Sequence, residues 1–207
     1  MPRRPDMPAL RRENLAADPI VQFHEWYVHA RAEVPLAEAM TLATVDADGA
    51  PDARMVLLKG VDDEGFRFFT NYESEKAEQL ETAPGGGAAL VIYWRELDRQ
   101  VRVRGAIERL SAAESDAYFA TRPHESRLAA WASPQSRSVD SRDELDDRLA
   151  AAAARFERAN VPRPDHWGGY LLRPRTIEFW QGQVARMHDR FRYSRDGEGW
   201  RVERLGP

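Results

Sequence analysis

The sequence has 207 residues, 43% of them hydrophobic, and a formal net charge of −4 at pH 7. This length and apolar content predict one large domain with its own core. The absence of cysteine excludes a disulfide framework, a thiolate metal site and a cysteine nucleophile, and it fits a reducing compartment. The net charge gives no bulk attraction for nucleic acid, and no apolar run suits a membrane span or a signal peptide. We therefore expect a cytoplasmic protein that binds neither nucleic acid nor membrane.

The first predicted element is a helix that begins at Asp18-Pro19, because aspartate caps helices and proline suits the first helical position. We expect residues 1–17 to form a flexible N-terminal arm and residues 18–207 to form one domain. After this helix, short apolar segments alternate with turn sequences, which is typical of a β-meander. The predicted strands span 40–46, 54–61, 66–71, 88–94 and 99–110, and a short crossover helix spans 74–82.

The second half of the sequence predicts three helices followed by another meander. Ser111 and Glu114 have the spacing of a capping box, which starts a helix that runs to about Arg122. Further helical stretches cover 125–132 and 141–159. Strands are predicted at 167–174, 176–182 and 199–205, with one further segment at 187–195. A total of roughly seven or eight strands with inserted helices favours a mainly β (α+β) fold, built on a closed or partly open antiparallel barrel.

Lysine is rare in this sequence, because only Lys59 and Lys76 among the 30 basic residues are not arginine. A compact ammonium suits sites where the planar guanidinium does not fit, so these positions are candidates for a binding site. Chance placement is the alternative. Lys59 is the last residue of the segment 54–59, which has a cation at each end of an apolar run. The alternative interpretation of this segment is a buried strand with charged ends.

Two segments have the chemistry of phosphate sites. Phe69 and Thr70 end a strand just before a helix whose first turn contains Lys76, and helix N-termini favour anions. An ordinary cap with an exposed lysine is the alternative. Tyr118 and Arg122 are four residues apart on one helical face, and Ser126 follows closely enough to converge with them on one anion.

A third cluster lies near the C-terminus, where Trp180 precedes Arg186, His188 and Arg190. An alternating strand would place the last three side chains on one face, where they repel one another. We favour an anionic ligand there over a solvated edge. The five histidines lack the spacing of metal ligands, so we expect no metal site.

These segments resemble, in order and spacing, the pyridoxine/pyridoxamine 5′-phosphate oxidase family. The matching blocks are RMVLLK, FFTNYESEKA, LDRQVRV, YFATRPHES, WASPQS, WGGY, IEFWQG, RMHDRF and RLGP, from about Asp18 to the last residue. The resemblance implies an FMN-binding split β-barrel that forms a homodimer with FMN at the interface. It also implies oxidation of pyridoxine or pyridoxamine 5′-phosphate by O₂ to pyridoxal 5′-phosphate and H₂O₂, in vitamin B6 cofactor synthesis and salvage.

The resemblance also implies roles for individual residues. The FMN-binding residues would be Arg54, Met55, Val56, Leu57, Leu58, Lys59, Phe69, Thr70, Lys76, Gln100, Gln135, Ser136, Trp180 and Arg190. The substrate-binding residues would be Lys59, Tyr118, Arg122, Ser126, Arg186 and His188. Of these, Arg186 and His188 would contact the substrate ring as catalytic residues. The sequence departs from the family's pattern at Glu75, where the family often has a second basic residue.

Two alternatives remain open at this point. The first is a related flavin oxidase of another small aromatic, as in phenazine biosynthesis, against which the phosphate cradle of Arg122 and Ser126 argues. The second is a non-enzymatic flavin or haem carrier on the same barrel, which would not need Arg186 and His188.

Overall fold

The computed structural model describes residues 9–83, 85–157 and 160–207. Within these ranges it has nine strands and five α-helices. The helices are α1 (Pro19–Glu33), α2 (Glu75–Thr82), α3 (Ala112–Thr121), α4 (His124–Ala132) and α5 (Arg142–Arg155). The strands are β1 (Ala39–Val45), β2 (Pro51–Leu57), β3 (Gly60–Asp62), β4 (Gly65–Asn71), β5 (Gly87–Trp94), β6 (Arg99–Arg109), β7 (Trp167–Gln181), β8 (Asp189–Asp196) and β9 (Gly199–Arg204).

The strands form one antiparallel sheet in the order β2-β1-β5-β6-β7-β4-β3, with β8 added to β7 and β9 added to β8. Strand β7 is the branch point of this sheet. Its first part, from Trp167 to Leu172, pairs with β4, and its last part, from Thr176 to Gln181, pairs with β8. The predicted mainly β antiparallel fold with peripheral helices is therefore confirmed.

Aromatic side chains fill the main core between α1 and the sheet. Helix α1 begins as predicted, since the Asp18 carboxylate accepts a hydrogen bond from the Ile20 backbone nitrogen at 2.7 Å. On its buried face, Phe23 packs edge-on against Phe66 and Trp26 packs edge-on against Phe179, with ring centroids 5.0 and 5.2 Å apart. These contacts close one side of the sheet.

A second, smaller core joins α3, α4 and α5. It contains Phe119, Leu128, Ala152 and Phe156, and it reaches the sheet through Trp167 at the start of β7. The predicted capping box at the start of α3 is present, with Ser111 and Glu114 bonded to each other's backbone nitrogens. This helical layer lies over the end of β4 and forms one wall of the site described below.

Three details differ from the sequence prediction. The predicted strand 54–61 is two strands, and β2 is a sheet edge with Met55 63% exposed, so the alternative of a buried strand is wrong. The segments 167–174 and 176–182 form one strand, β7. The strand accommodates Pro174 at the point where its partner on one edge changes from β4 to β8 and where its register with β6 shifts. The nine strands in the described ranges compare with the roughly seven or eight expected.

The part of the predicted arm that the structure describes lies against β8 and β9. The Leu10 backbone nitrogen donates to the Asp189 carboxylate at 3.0 Å, and Arg204 donates to the Leu10 carbonyl at 2.9 Å. Arg12 donates to the Val202 carbonyl at 2.7 Å. Residues 1–8 lie outside the described residues, and the flexibility of the arm stays a prediction.

Candidate functional site

A cleft of about 470 Å³ opens between β2, the end of β4 and helices α2, α3 and α4. The structure brings eleven of the predicted site residues together on its walls. They are Met55, Val56, Leu57, Lys59, Phe69, Thr70, Lys76, Tyr118, Arg122, Ser126 and Gln135. Thr121, Pro123 and Trp167 also line the cleft and were not predicted as site residues. For Trp167, the only sequence signal is a large aromatic residue directly before two glycines.

Lys76 and two polar neighbours form the first binding position in the cleft. The ammonium of Lys76 and the hydroxyl of Thr70 both donate to Oε1 of Gln135, each at 2.9 Å. Partial burial lowers the pKa of Lys76, and the positive charge of Arg54 lowers it further. A partly desolvated cation with another cation nearby is stabilised by a bound anion, so this position suits a phosphate.

Arg122 forms a second binding position at the end of α3. Its guanidinium lies 4.5 Å from the ring centroid of Trp167 and 5.4 Å from that of Phe119. Nη1 is buried and has no hydrogen-bond partner in the described part of the chain. Burial also lowers the pKa of this guanidinium. A buried unpaired donor costs about 1–3 kcal/mol, and more when charged, so an anionic acceptor from outside would stabilise this arrangement.

Stacked aromatic rings join the cleft wall to the helical core beside these two positions. The ring of Phe69 lies 3.9 Å from that of Tyr118 and 5.5 Å from that of Trp167, with interplanar angles of 18° and 11°. Burial raises the pKa of Tyr118, so its hydroxyl remains a donor at neutral pH. Gly169 permits this packing, since a Cβ there would lie 2.7 Å from the Phe69 ring.

The segment 54–59 contributes to the cleft only in part. Arg54 is not on the cleft wall, because its guanidinium is directed to Thr44 Oγ1 at 2.6 Å, Gln79 Oε1 at 2.7 Å and the Asp52 carboxylate. Leu58 is 4% exposed and packs in the main core. Arg54 and Leu58 therefore lie off the cleft wall, and their predicted roles in FMN binding stay predictions. Ser136, exposed with a φ of 66°, also lies off the wall.

The remaining predicted residues form a separate group, which we call the β6–β8 group: Gln100, Trp180, Arg186, His188 and Arg190. None of them lines the cleft. Trp180 pairs in register with Gln100 on β6 and with Arg190 on β8, and its ring lies 4.6 Å from His188. Trp167 and Trp180 are 13 positions apart (180 − 167) on β7. At about 3.3 Å per residue this is roughly 40 Å along the strand.

The prediction that Arg186, His188 and Arg190 share one face of a strand is wrong. Strand β8 begins only at Asp189, and Arg186 lies in a 3-10 turn. Ala185 and Arg186 have φ values of 55° and 61°, a left-handed conformation that an extended strand cannot contain.

The charge of Arg190 in the β6–β8 group is balanced within the chain. Arg190 donates from Nε and Nη2 to Glu178 at 3.0 and 2.8 Å and from Nη1 to the Gly206 carbonyl at 3.0 Å. His188 accepts a hydrogen bond from the Gln183 backbone nitrogen at 3.1 Å. Within the described ranges, no His, Cys, Asp and Glu side chains cluster as metal ligands, and no helix is long and apolar enough to cross a membrane.

Two family models match the chain. One, described as pyridoxamine 5′-phosphate oxidase, matches residues 28–156. The other, described as the pyridoxine 5′-phosphate oxidase C-terminal dimerisation region, matches residues 167–207. Curated relatives include the pyridoxine/pyridoxamine 5′-phosphate oxidases of Cupriavidus taiwanensis, 53% identical over 96% of this chain and 93% of the relative, and of Rubrobacter xylanophilus, 52% identical over 99% and 98%.

Solved structures resemble the same fold. PhzG from Burkholderia lata 383, in complex with tetrahydrophenazine-1-carboxylic acid, superposes with a TM-score of 0.88 and 32% identity over 94% of this chain and 95% of PhzG. A pyridoxamine 5′-phosphate oxidase-related, FMN binding protein from Nostoc punctiforme has a TM-score of 0.74 over 93% of this chain and 100% of its own. At 19% identity, the second likeness shows the fold alone.

Proposed function

The chain belongs to the pyridoxamine 5′-phosphate oxidase family, and on that premise we propose that it oxidises pyridoxine or pyridoxamine 5′-phosphate to pyridoxal 5′-phosphate. It is an oxidoreductase with FMN as its cofactor and the split-barrel fold of its family. We further propose O₂ as the acceptor, H₂O₂ as the second product and a role in vitamin B6 synthesis and salvage. Residues 18–207 would form the single oxidase domain, behind the arm of residues 1–17. The cytoplasmic location stays a prediction.

The buried unpaired nitrogen of Arg122 is the observation that carries this proposal. The cofactor and the proposed substrate each bring one phosphate, so the cleft needs two anion positions. The groups around Lys76 and Arg122 supply them, and Lys59 is a further cation on the wall with no side-chain partner in the described part of the chain. A site for an uncharged substrate would not need the second position.

The residues present fit FMN. Lys76 and Thr70, with Gln135, would hold its phosphate, since they offer charged and neutral donors at the start of α2. Met55, Val56 and Leu57 offer an apolar wall for its ring system. When bound, FMN supplies the redox chemistry by accepting a hydride from the C4′ carbon of the substrate.

The side chains of this chain would bind and orient the substrate. Arg122, with Tyr118, Ser126 and Lys59, would hold its phosphate and fix the distance of C4′ from the cofactor. Arg186 and His188 would contact the substrate ring. No side-chain nucleophile is needed, because the protein contributes positioning, charge neutralisation and exclusion of water.

We propose that the β6–β8 group completes the cleft of a second copy, in a homodimer with FMN at the interface. The long span of β7 separates this group from the cleft of its own chain. The matched dimerisation region contains β7, β8 and β9. Edge strand β2 also exposes Met55 and Leu57, 63% and 41%, and exposed apolar patches of this kind mark interfaces.

Turnover with both phosphorylated substrates tests the function. Purified protein should be yellow and convert pyridoxine or pyridoxamine 5′-phosphate, under air, to a product with the absorbance of the aldehyde and one equivalent of peroxide. A protein that stays colourless and inactive with added FMN would overturn the proposal. Oxidation of tetrahydrophenazine-1-carboxylic acid in place of both substrates would favour the phenazine alternative, and flavin binding without turnover would favour a carrier.

A further inference from the structure

We propose that Trp167 is a positioning residue for the substrate phosphate, because its indole face holds Arg122 with hydrogen-bond donors left free. This inference rests on the proposed function and goes beyond it by adding a residue that would act through Arg122. Trp167 lies on the cleft wall, and its ring centroid is 4.5 Å from the guanidinium carbon of Arg122.

Arg122 is held by rings and not by acceptors. No described residue accepts a hydrogen bond from its guanidinium, and its contacts are the faces of Trp167 and Phe119. A cation over an aromatic face is attracted without use of its N–H donors. A carboxylate in the same place would consume two donors and neutralise the charge, as Glu178 does for Arg190. An aromatic holder therefore suits an arginine that must bind an incoming phosphate.

Trp167 is itself rigidly fixed. It is 7% exposed, stacks on Phe69 and meets Phe119 edge-on with ring centroids 5.0 Å apart. Its backbone carbonyl accepts a hydrogen bond from Arg163 Nη1 at 2.7 Å. Next along the chain, Gly168 has no room for a side chain, since a Cβ would lie 2.1 Å from the Tyr72 hydroxyl oxygen. These contacts hold the indole in place, so the guanidinium stacked on it is held in place as well.

Graded replacement of Trp167 tests this role. In Trp167→Leu, we expect the KM for pyridoxine 5′-phosphate to rise about tenfold, because the cation–π contact is lost, while kcat and the dissociation constant of FMN change less than about twofold. Trp167→Phe keeps a ring face and should restore most of the loss. Calorimetric binding of pyridoxal 5′-phosphate to the FMN-loaded protein should follow the same order without turnover.

Trp131 offers a matched control within the same helical core. Its ring lies 4.4 Å from the guanidinium of Arg155, but neither residue lines the cleft. Trp131→Leu removes a comparable ring and cation pair, so it should lower thermal stability and leave the KM unchanged. If both tryptophan variants raise the KM equally, Trp167 is a structural residue only and the inference is wrong.

A double-mutant cycle asks whether Trp167 acts through Arg122. In an Arg122→Ala background, Trp167→Leu should change the KM by less than about twofold, since the side chain to be held is gone. A tenfold effect that persists there, or equal losses for FMN and the substrate, would overturn the inference. Wild-type protein that never oxidises the phosphorylated substrates would instead overturn the proposed function, so the two failures are distinguishable.

Discussion

The guanidinium groups of Arg122 in the cleft and Arg190 in the β6–β8 group are both partly buried, but they have opposite kinds of contacts. Arg122 rests on two rings with one nitrogen unpaired, whereas Arg190 donates to a carboxylate and a carbonyl through all of its nitrogens. The cleft is thus prepared for an anion from outside. In the β6–β8 group, Arg190 and His188 are already held by partners in the same chain, which suits a region that contributes to another site.

This comparison predicts that the two regions work in pairs drawn from different chains. We expect a mixed dimer of Arg122→Ala and His188→Ala chains to keep about half of the wild-type activity, because one of its two sites receives no mutation. The two chains are co-expressed with different affinity tags, the mixed dimer is isolated, and turnover is measured at low substrate concentration. Activity as low as that of the two parent variants would show that both residues serve the same chain's site.

The unpaired state of Arg122 predicts a selective loss when it is removed. Arg122→Ala should raise the KM for pyridoxine 5′-phosphate by about 10- to 100-fold, the equivalent of one charge-assisted hydrogen bond of about 1.5–3 kcal/mol. FMN binding should be unchanged, as measured by flavin fluorescence. Arg155→Ala is the control, since that guanidinium also stacks on a tryptophan but lies off the cleft wall. Equal weakening of FMN binding would contradict two separate anion positions.

Lys76 predicts a pH dependence of cofactor binding. Its pKa lies below the usual lysine value because of burial and the charge of Arg54, and the ammonium is the form that binds phosphate. FMN affinity should therefore be full below this pKa and fall as the pH rises through it, earlier than for an exposed lysine. Dissociation constants of FMN and riboflavin from about pH 7 to about pH 10 measure this. Riboflavin lacks the phosphate, and Lys76→Arg stays charged, so both should give flatter curves.

The smallest expected effect concerns the helix that carries Tyr118 and Arg122. Ser111→Ala removes the N-cap of α3 and should lower the free energy of unfolding by about 1 kcal/mol, with a modest rise in KM. Ser141 caps α5 in the same way, and α5 contributes no side chain to the cleft wall. Ser141→Ala should match the stability loss in thermal unfolding and leave the KM unchanged. A KM effect of equal size in both variants would mean that general loosening, and not α3, is responsible.

Local signals in the sequence predicted much of this molecule. The start of α1 follows from Asp18, and that of α3 from its capping box, because each signal lies within a few residues of its effect. The edge position of β2 is not local, so the exposure of Met55 was not predictable from an apolar run. The left-handed turn at Arg186 interrupts the apparent alternation of Arg186, His188 and Arg190, and the spacing of these residues gives no sign of the turn. Trp167, which stacks on Arg122, is 45 positions away from it (167 − 122), so no local spacing rule predicts this contact.

The scarcity of lysine has a practical consequence for chemical labelling. Lys59 and Lys76 are the only lysines in the sequence, and both line the cleft. The lowered pKa of Lys76 gives it a larger fraction of reactive free amine than an exposed lysine has at the same mildly alkaline pH. An acylating reagent directed at side-chain amines is therefore a reporter of the cleft, and ligands that cover these amines should protect them from modification.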